Sequence, residues 1–537
     1  MSVSMIAAPA EVLRFPTSPS SSGAAQRRTL PPSAPWDERA LRRWITANLG
    51  QNQVIVVSDR QPVAHERVAG VLKMTQPASG LVTAVEPVLR ACGGTWIAHG
   101  SGAADREVVD ASDGWNAPAE RGAYRLRRVW LTPDEERGYR HGFSNSGLWP
   151  LCHLVHVRPV FTEPDWQHYQ TVNQRFADAV SSEARQADPI VLIQDYHLAL
   201  VPALVRARLP RATIVVFWHV PWTSSEQMGI CPWLPAVMDG LLGSDIVGFQ
   251  TDQHRRNFVE TAERCGFPVE DADRLNVVGH DARRTQVRDY PISVSWPGAS
   301  STPAAPPSAA SAVSTKPLRA WSPGAKLIVG IDRFDYTKGL VERLQAVEHL
   351  LDTHPRWQGH LRYVQVASPS RIALPEYRAF RERVFGEVHR INARFAGLGP
   401  EPITLLDAHH DHAEVDALYR AADLCLVTSL HDGMNLVSKE FVAARDDELG
   451  VLVLSQFAGA AEELGDALIV NPYHTAQVAE AIHRGLTMPR PEQRRRMQAL
   501  RATVKLRNVH CWAATMLRDA ARLRAPAMAG DAAVAQA

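Results

Sequence analysis

Short apolar runs of β-forming residues recur along this chain and alternate with segments whose apolar residues return every three or four positions. The first run is Val54-Ile55-Val56-Val57. It passes through Ser58-Asp59-Arg60 and, after Pro77-Ala78-Ser79-Gly80, reaches a helical pattern at 81–92. A helical segment at 36–49 precedes it, and runs at 191–194, 213–218 and 245–249 follow, each set apart by helical stretches. The pattern restarts at Lys326-Leu327-Ile328-Val329-Gly330-Ile331. Next comes a helix marked by Leu340, Leu344, Val347, Leu350 and Leu351, then runs at 361–367, 403–406, 424–427 and 451–455. Runs this apolar bury both faces, and strand–helix alternation builds parallel sheets. The pattern predicts an α/β protein with two Rossmann-like domains facing a central cleft, where a ligand site belongs.

Length and composition divide the chain further. At 537 residues it exceeds a single hydrophobic core. The expected division is a disordered tail at 1–35, a first domain at 36–296, and a flexible Pro/Ala/Ser insertion at 297–316. A second domain at 317–490, C-terminal helices at 491–524 and a tail at 525–537 complete it. A net charge of +1 carries no nucleic-acid signature. No run of 18 apolar residues exists to span a membrane, and the N-terminus lacks a secretory pattern. Cys92, Cys152, Cys231, Cys265, Cys425 and Cys511 are scattered with no CxxC pair, which fits thiols in a reducing cytoplasm. The oligomeric state leaves no mark in the sequence, and a homo-oligomer stays open.

Candidate chemistry gathers where the apolar runs end. Leu424-Cys425-Leu426-Val427 enters a polar loop containing Asp432, Gly433, Met434 and Asn435, and a helical pattern starts at Leu436. Gly433 frees the backbone of that loop, and a helix N-terminus there offers unpaired N–H groups to an anion. The 433–435 backbone reads as a phosphate cradle or as a plain capping loop. Glu440 lies in the second turn among core residues, where a carboxylate needs a partner such as sugar hydroxyls. Arg333 and Lys338, five residues apart after the first strand of the second domain, can clamp a diphosphate or pair with Asp332 and Asp335. Arg371 is a third cation at that edge. In the first domain Asp195-Tyr196-His197 and His219 follow adjacent strands, and each histidine reads equally as structural or functional. His409-His410-Asp411-His412 lacks metal-ligand geometry.

Several of these motifs stand in the order of a known family. Val56-Val57-Ser58-Asp59-Arg60, Phe143-Ser144-Asn145 through Leu148-Trp149-Pro150, Asp195-Tyr196-His197 and His219-Val220-Pro221-Trp222 belong to the first half. Arg333-Phe334-Asp335-Tyr336-Thr337-Lys338-Gly339, Asp432-Gly433-Met434-Asn435-Leu436-Val437 and Val451 through Ala460 belong to the second. Together, from about residue 53 to about 520, they resemble the trehalose-6-phosphate synthases. The resemblance implies the GT-B architecture and a retaining transferase moving glucose from a nucleotide-glucose, usually UDP-glucose, to glucose 6-phosphate. It implies that Arg333 and Lys338 hold the donor diphosphate, and that Asp432 binds glucose hydroxyls. The backbone of Gly433, Met434, Asn435 and Leu436 would approach the donor, Glu440 hold the ribose, Gly80 lie near the phosphates and His219 contact the glucose. On the acceptor side it places Arg60, Trp149, Asp195 and Arg371. The implied chemistry, front-face attack with the leaving phosphate taking the acceptor proton, needs no metal, cofactor or protein nucleophile.

Departures from the family pattern cluster near the acceptor. Asp59 stands for an asparagine, Ser79 for a glycine, His99 for an aromatic residue, Arg140 for a tyrosine and His431 for an arginine. They leave open a sister synthase with another phosphorylated acceptor, such as glycerol 3-phosphate, or a catalytically weak regulatory homologue. A dinucleotide oxidoreductase lacks its GxGxxG after either first strand.

Overall fold

The computed structural model describes residues 35–50, 52–76, 80–118, 124–271, 275–298 and 325–534. The first half contributes β1 (Val54–Arg60), β2 (Ala64–Val68), β3 (Val71–Thr75), β4 (Thr95–His99), β5 (Gly114–Asn116) and β6 (Arg125–Val129). It continues with β7 (Ile190–Gln194), β8 (Thr213–Phe217), β9 (Ile246–Phe249), β10 (Val269–Glu270), β11 (Asn276–Val278) and β12 (Arg284–Asp289). All but the β2–β3 hairpin join a ten-stranded sheet in the order β10-β11-β12-β9-β8-β7-β1-β4-β6-β5. From β12 to β6 every pairing is parallel, and antiparallel strands close both ends.

Strands β13 (Lys326–Arg333), β14 (Leu361–Ser368), β15 (Ile403–Leu406), β16 (Leu424–Val427), β17 (Val451–Ser455) and β18 (Leu468–Val470) form the second sheet. Its order is β15-β14-β13-β16-β17-β18, parallel throughout. In each sheet the winding reverses between two neighbours, β1 and β7 in the first and β13 and β16 in the second. The loops leaving those four strands therefore open into a crevice beyond the strand ends, where α/β sheets bind ligands. Asp59–Arg60, Asp195–His197, Arg333–Lys338 and Asp432–Asn435 all sit there.

The strands expected from apolar runs are present, and the β2–β3 hairpin, β4, β5, β6, β10, β11, β12 and β18 are additions. β6, Arg-Leu-Arg-Arg-Val, has no apolar run because its cations are neutralised from elsewhere. Arg125 pairs with Asp110 and Glu183, Arg127 with Asp113, and the fully buried Arg128 with Asp105. Residues 137–148, given no element in the sequence pattern, form a wide i→i+5 helix. A Cβ on Gly138 would fall 2.1 Å from His168 Nδ1 and one on Gly142 2.3 Å from the Asp165 carboxyl carbon, so both glycines let it lie against helix Glu163–Glu183.

After helix Arg490–Leu506 the chain returns to the first sheet. Val509 N–H donates to Val294 O at 3.0 Å, tying the return to the outward crossing. Trp512 packs on Phe217 with ring centroids 5.3 Å apart, and Tyr290 donates to Asp519 at 2.9 Å. This last helix, Val509–Val534, continues past residue 525, where a tail is expected to begin. Most of the expected tail at 1–35 and of the insertion at 297–316 lies outside the described residues.

Candidate active site

The loop after β13 is shaped by its own side chains. Asp335 Oδ1 accepts from Thr337 N–H at 3.1 Å and starts the turn Tyr336–Lys338. Gly339 follows with φ 66°, and a Cβ there would fall 2.2 Å from Thr428 O, so the loop is pressed onto the end of β16. This delivers Lys338 Nζ to Asp432 Oδ2 at 2.5 Å. Ser429 and Asn435 also donate to that carboxylate, each at 3.2 Å. Burial alone would raise the Asp432 pKa, but Lys338 and Asn435 outweigh it and hold the group down at about 2.

The backbone strain of the β16 loop sits at Asn435, not at Gly433 as expected. Asn435 has φ 82° and caps helix Leu436–Ala444 by accepting from Ser438 N–H at 3.0 Å. Gly433 is required for closeness instead, because a Cβ there would fall 2.5 Å from His219 O in the facing half. Met434 is buried against the core and Leu436 opens the helix. Glu440 accepts from Tyr419 OH at 3.1 Å, and burial raises its pKa against the pull of His412 and that hydrogen bond. Gly80 opens helix Gly80–Cys92, while Pro77, Ala78 and Ser79 lie outside the described residues.

Arg371 reaches across the cleft. Its guanidinium donates to Asp335 and Tyr377 at 2.9 Å each, to Asn145 at 3.0 Å and to Tyr196 at 3.3 Å, and lies 3.9 Å over the Trp149 ring. Asn145, Asp335, Tyr196 and Tyr377 were not singled out as site residues in the sequence. Only Tyr377 lay outside every motif, at the start of the remote helix Pro375–Arg394. The Trp149 indole N–H is buried without a partner among the described residues. Asp332, one of the two carboxylates that could have absorbed Arg333 and Lys338, pairs with Arg343 at 2.8 Å. Arg333 lies 3.8 Å from Asp335, which Arg371 already holds, and its side chain is 39% exposed.

Arg60, at the end of β1, is exposed, and its side chain has no hydrogen-bond partner among the described residues. Partial desolvation, then the nearby Arg333, outweigh Asp59 and bring its guanidinium down to about 10. Asp195, after β7, adopts φ 74° and accepts from His219 N–H at 3.2 Å. Burial pushes its pKa up to about 7, the backbone donors of Tyr196 and His219 opposing. His219 pairs through Nε2 with Gln194 at 2.9 Å, and burial pushes it down to about 3. His431 accepts at Nδ1 from Leu154 N–H at 3.0 Å, a second link between the halves. Among the described residues no group of three His, Cys, Asp or Glu side chains could hold a metal, and His410 pairs with Glu414 at 3.1 Å.

Similarity to known proteins follows the same geometry. The chain is 37% identical over 476 residues to a bifunctional trehalose-6-phosphate synthase/phosphatase from Thermoproteus tenax, covering 86% of this chain but 62% of that protein. It is 36% identical over 479 residues to a trehalose-6-phosphate synthase from Mycolicibacterium vanbaalenii, covering 88% and 96%. Among solved structures, a UDP-forming α,α-trehalose-phosphate synthase from Burkholderia xenovorans in complex with glucose-6-phosphate superposes with a TM-score of 0.74. The two are 31% identical over 87% of this chain and 99% of that one. The expected fold class, two facing Rossmann-like sheets of GT-B type, is the one the chain has. The model of glycosyltransferase family 20 matches residues 52–522, and the chain belongs to that family.

Proposed function

We propose that the chain transfers glucose, with retention, from UDP-glucose to glucose 6-phosphate, giving α,α-trehalose 6-phosphate and UDP. The observation that carries this reading is the charge pattern of the cleft. Lys338 is matched by Asp432, Arg371 by Asp335 and Arg140 by Asp59, while Arg60 and Arg333 keep no carboxylate of their own. Two open guanidiniums suit two anionic groups, a diphosphate and a phosphate ester. Arg333 and Lys338 take the donor diphosphate; Lys338 has three N–H donors and serves it while still holding Asp432. Asp432 and His219 meet the transferred glucose, the 433–436 backbone lines the donor, and Glu440 takes the ribose. Arg60 and Arg371 take the acceptor phosphate, Trp149 offers its indole N–H, and Asp195 accepts from a sugar hydroxyl. The leaving phosphate, stabilised by Arg333 and Lys338, receives the acceptor proton.

In this reading residues 36–296 serve the acceptor and 317–490 the nucleotide-sugar. The setting is the cytoplasm, supported by six free cysteines, three of them buried. No helix among the described residues is long and apolar enough to cross a membrane. The substrates are small molecules, with neither nucleic acid nor metal engaged.

Nucleotide release from UDP-glucose, measured with no acceptor, glucose, glucose 6-phosphate, glycerol 3-phosphate and fructose 6-phosphate, tests the proposal. Release with glucose 6-phosphate alone and a non-reducing disaccharide phosphate by mass is the expected result. Turnover only with another acceptor would move the reading to a sister synthase, and none with any nucleotide-glucose would favour a regulatory role.

Asp195 gives that reaction a pH dependence. Its folded pKa of about 7 lies above the ordinary carboxylate value, so below pH 7 the group is protonated and accepts from a sugar hydroxyl only as a neutral carbonyl, without the charge that strengthens the bond. The acceptor KM should fall as pH rises through about 7, and Asp195→Asn should abolish the dependence. An unchanged profile in that variant would remove Asp195 from the acceptor contacts.

A further inference from the structure

Three departures from the family pattern, 40 and 81 residues apart in sequence, meet in one cluster. Arg140 Nε donates to Asp59 Oδ2 at 3.2 Å and Nη2 to Asp59 Oδ1 at 2.9 Å. The same Nη2 donates to His99 Nδ1 at 2.7 Å, and Nη1 to Glu136. His99 is the β4 residue paired with Arg60 in β1, where the register slips between Ser58 and Arg60. Burial and then Arg140 hold its imidazole neutral, near a pKa of 4. Four of the five guanidinium N–H bonds are thus engaged within the protein. Three of those bonds run to the carboxylates of Asp59 and Glu136, whereas Arg371 gives one to a carboxylate and the others to neutral oxygens, so Arg140 is the less able to turn a fork to a phosphate.

We propose that Arg140 is a positioning residue that acts through Asp59, neutralising this carboxylate so that the adjacent Arg60 stays open for the acceptor phosphate. The argument is one of competition. Asp59 is 5% exposed and needs a cationic partner. Two guanidiniums bear on it: Arg140, which it holds by two hydrogen bonds, and Arg60, its neighbour in β1 opposite His99, whose charge it favours. Without Arg140, Asp59 would close on Arg60 and set a negative charge against an incoming phosphate. A neutral asparagine at 59 would need no such guard, so the substitutions at 59 and 140 compensate each other. His99 completes the unit by accepting the remaining inner N–H of Arg140.

The inference rests on the proposed acceptor, and wild-type turnover with glucose 6-phosphate checks that reading first. A double-mutant cycle on the full chain then reads KM for glucose 6-phosphate and for UDP-glucose in Arg140→Gln, Asp59→Asn and the pair. Arg140→Gln should raise the acceptor KM on the order of tenfold, the scale of a charge-assisted contact, with the donor KM little changed. Adding Asp59→Asn should restore most of the acceptor affinity. A double variant no better than Arg140→Gln, or equal losses for both substrates, would overturn the proposal. If Arg140→Gln does not fold, Asp59→Asn alone decides, since removing the competing carboxylate should leave the acceptor KM equal or lower and a rise would overturn it. If wild-type protein turns over no acceptor, the same cycle read by calorimetric binding of inorganic phosphate keeps the two failures apart.

Discussion

Lys338→Ala should lower turnover by about 100-fold or more at saturating substrates, the scale seen when a donor aimed at transition-state charge is removed. Three features make this a large expected effect on turnover. The side chain is 13% exposed and stands on a turn fixed by Asp335 and by the contact of Gly339 with Thr428, so nothing nearby moves in to replace it. It is also the main partner of Asp432, whose carboxyl is held at about 2 against burial. Its removal therefore strikes the leaving phosphate and the glucose contact together. The sign of the pH effect follows. Lys338 depresses the Asp432 pKa, so in the variant that pKa rises, and residual turnover at saturating substrates should weaken toward acid beyond the Asp195-linked change in acceptor KM that the parent chain shares. Lys338→Arg should restore little, because a planar fork does not occupy the place of a compact ammonium. Nucleotide release under saturating donor checks this, and near-parental turnover would take Lys338 out of the chemistry.

Much of this site was legible before any coordinates, for a physical reason. Strands buried on both faces announce themselves as apolar runs, and in a parallel sheet function collects just past their ends. Reading the residues after 57, 194, 331 and 427 therefore led to Arg60, Asp195, Arg333 and Asp432. What stayed hidden depends on partners distant in sequence. β6 looks like a charged loop until Asp105, Asp110, Asp113 and Glu183 neutralise its arginines. The wide helix at 137–148 has no propensity signal, since its path is set by where two glycines let it touch helix Glu163–Glu183. Tyr377 enters the site only through the fold of the second half. The same blindness explains the departures. Asp59, His99 and Arg140 read as three separate substitutions in sequence, yet in space they form one charge-balanced unit.

Arg371→Ala is the counterpart on the acceptor side, with a different signature expected. The acceptor KM should rise by the equivalent of about 2–5 kcal/mol, the cost of truncating one partner of a buried charged contact, while the donor KM changes little. The side chain is 8% exposed, and its backbone adopts φ 47°, a conformation few non-glycine residues take without compensation. Here the compensation is visible in contacts to Asp335, Tyr377, Asn145, Tyr196 and the Trp149 face. Because those contacts join the two halves, the variant should also melt earlier. Asp335 is fully buried and, among the described residues, would keep Arg333 at 3.8 Å and the more distant Lys338 as cations, and breaking such a pair costs about 3–5 kcal/mol. The two effects separate in Arg371→Lys, which retains a charge for the phosphate but has three N–H donors where Asp335, Tyr377, Asn145, Tyr196 and the phosphate ask for more. That variant should regain part of the acceptor affinity and less of the thermal stability. If Arg371→Ala instead melted early with an unchanged acceptor KM, Arg371 would be a strut across the cleft and the phosphate would fall to Arg60 alone.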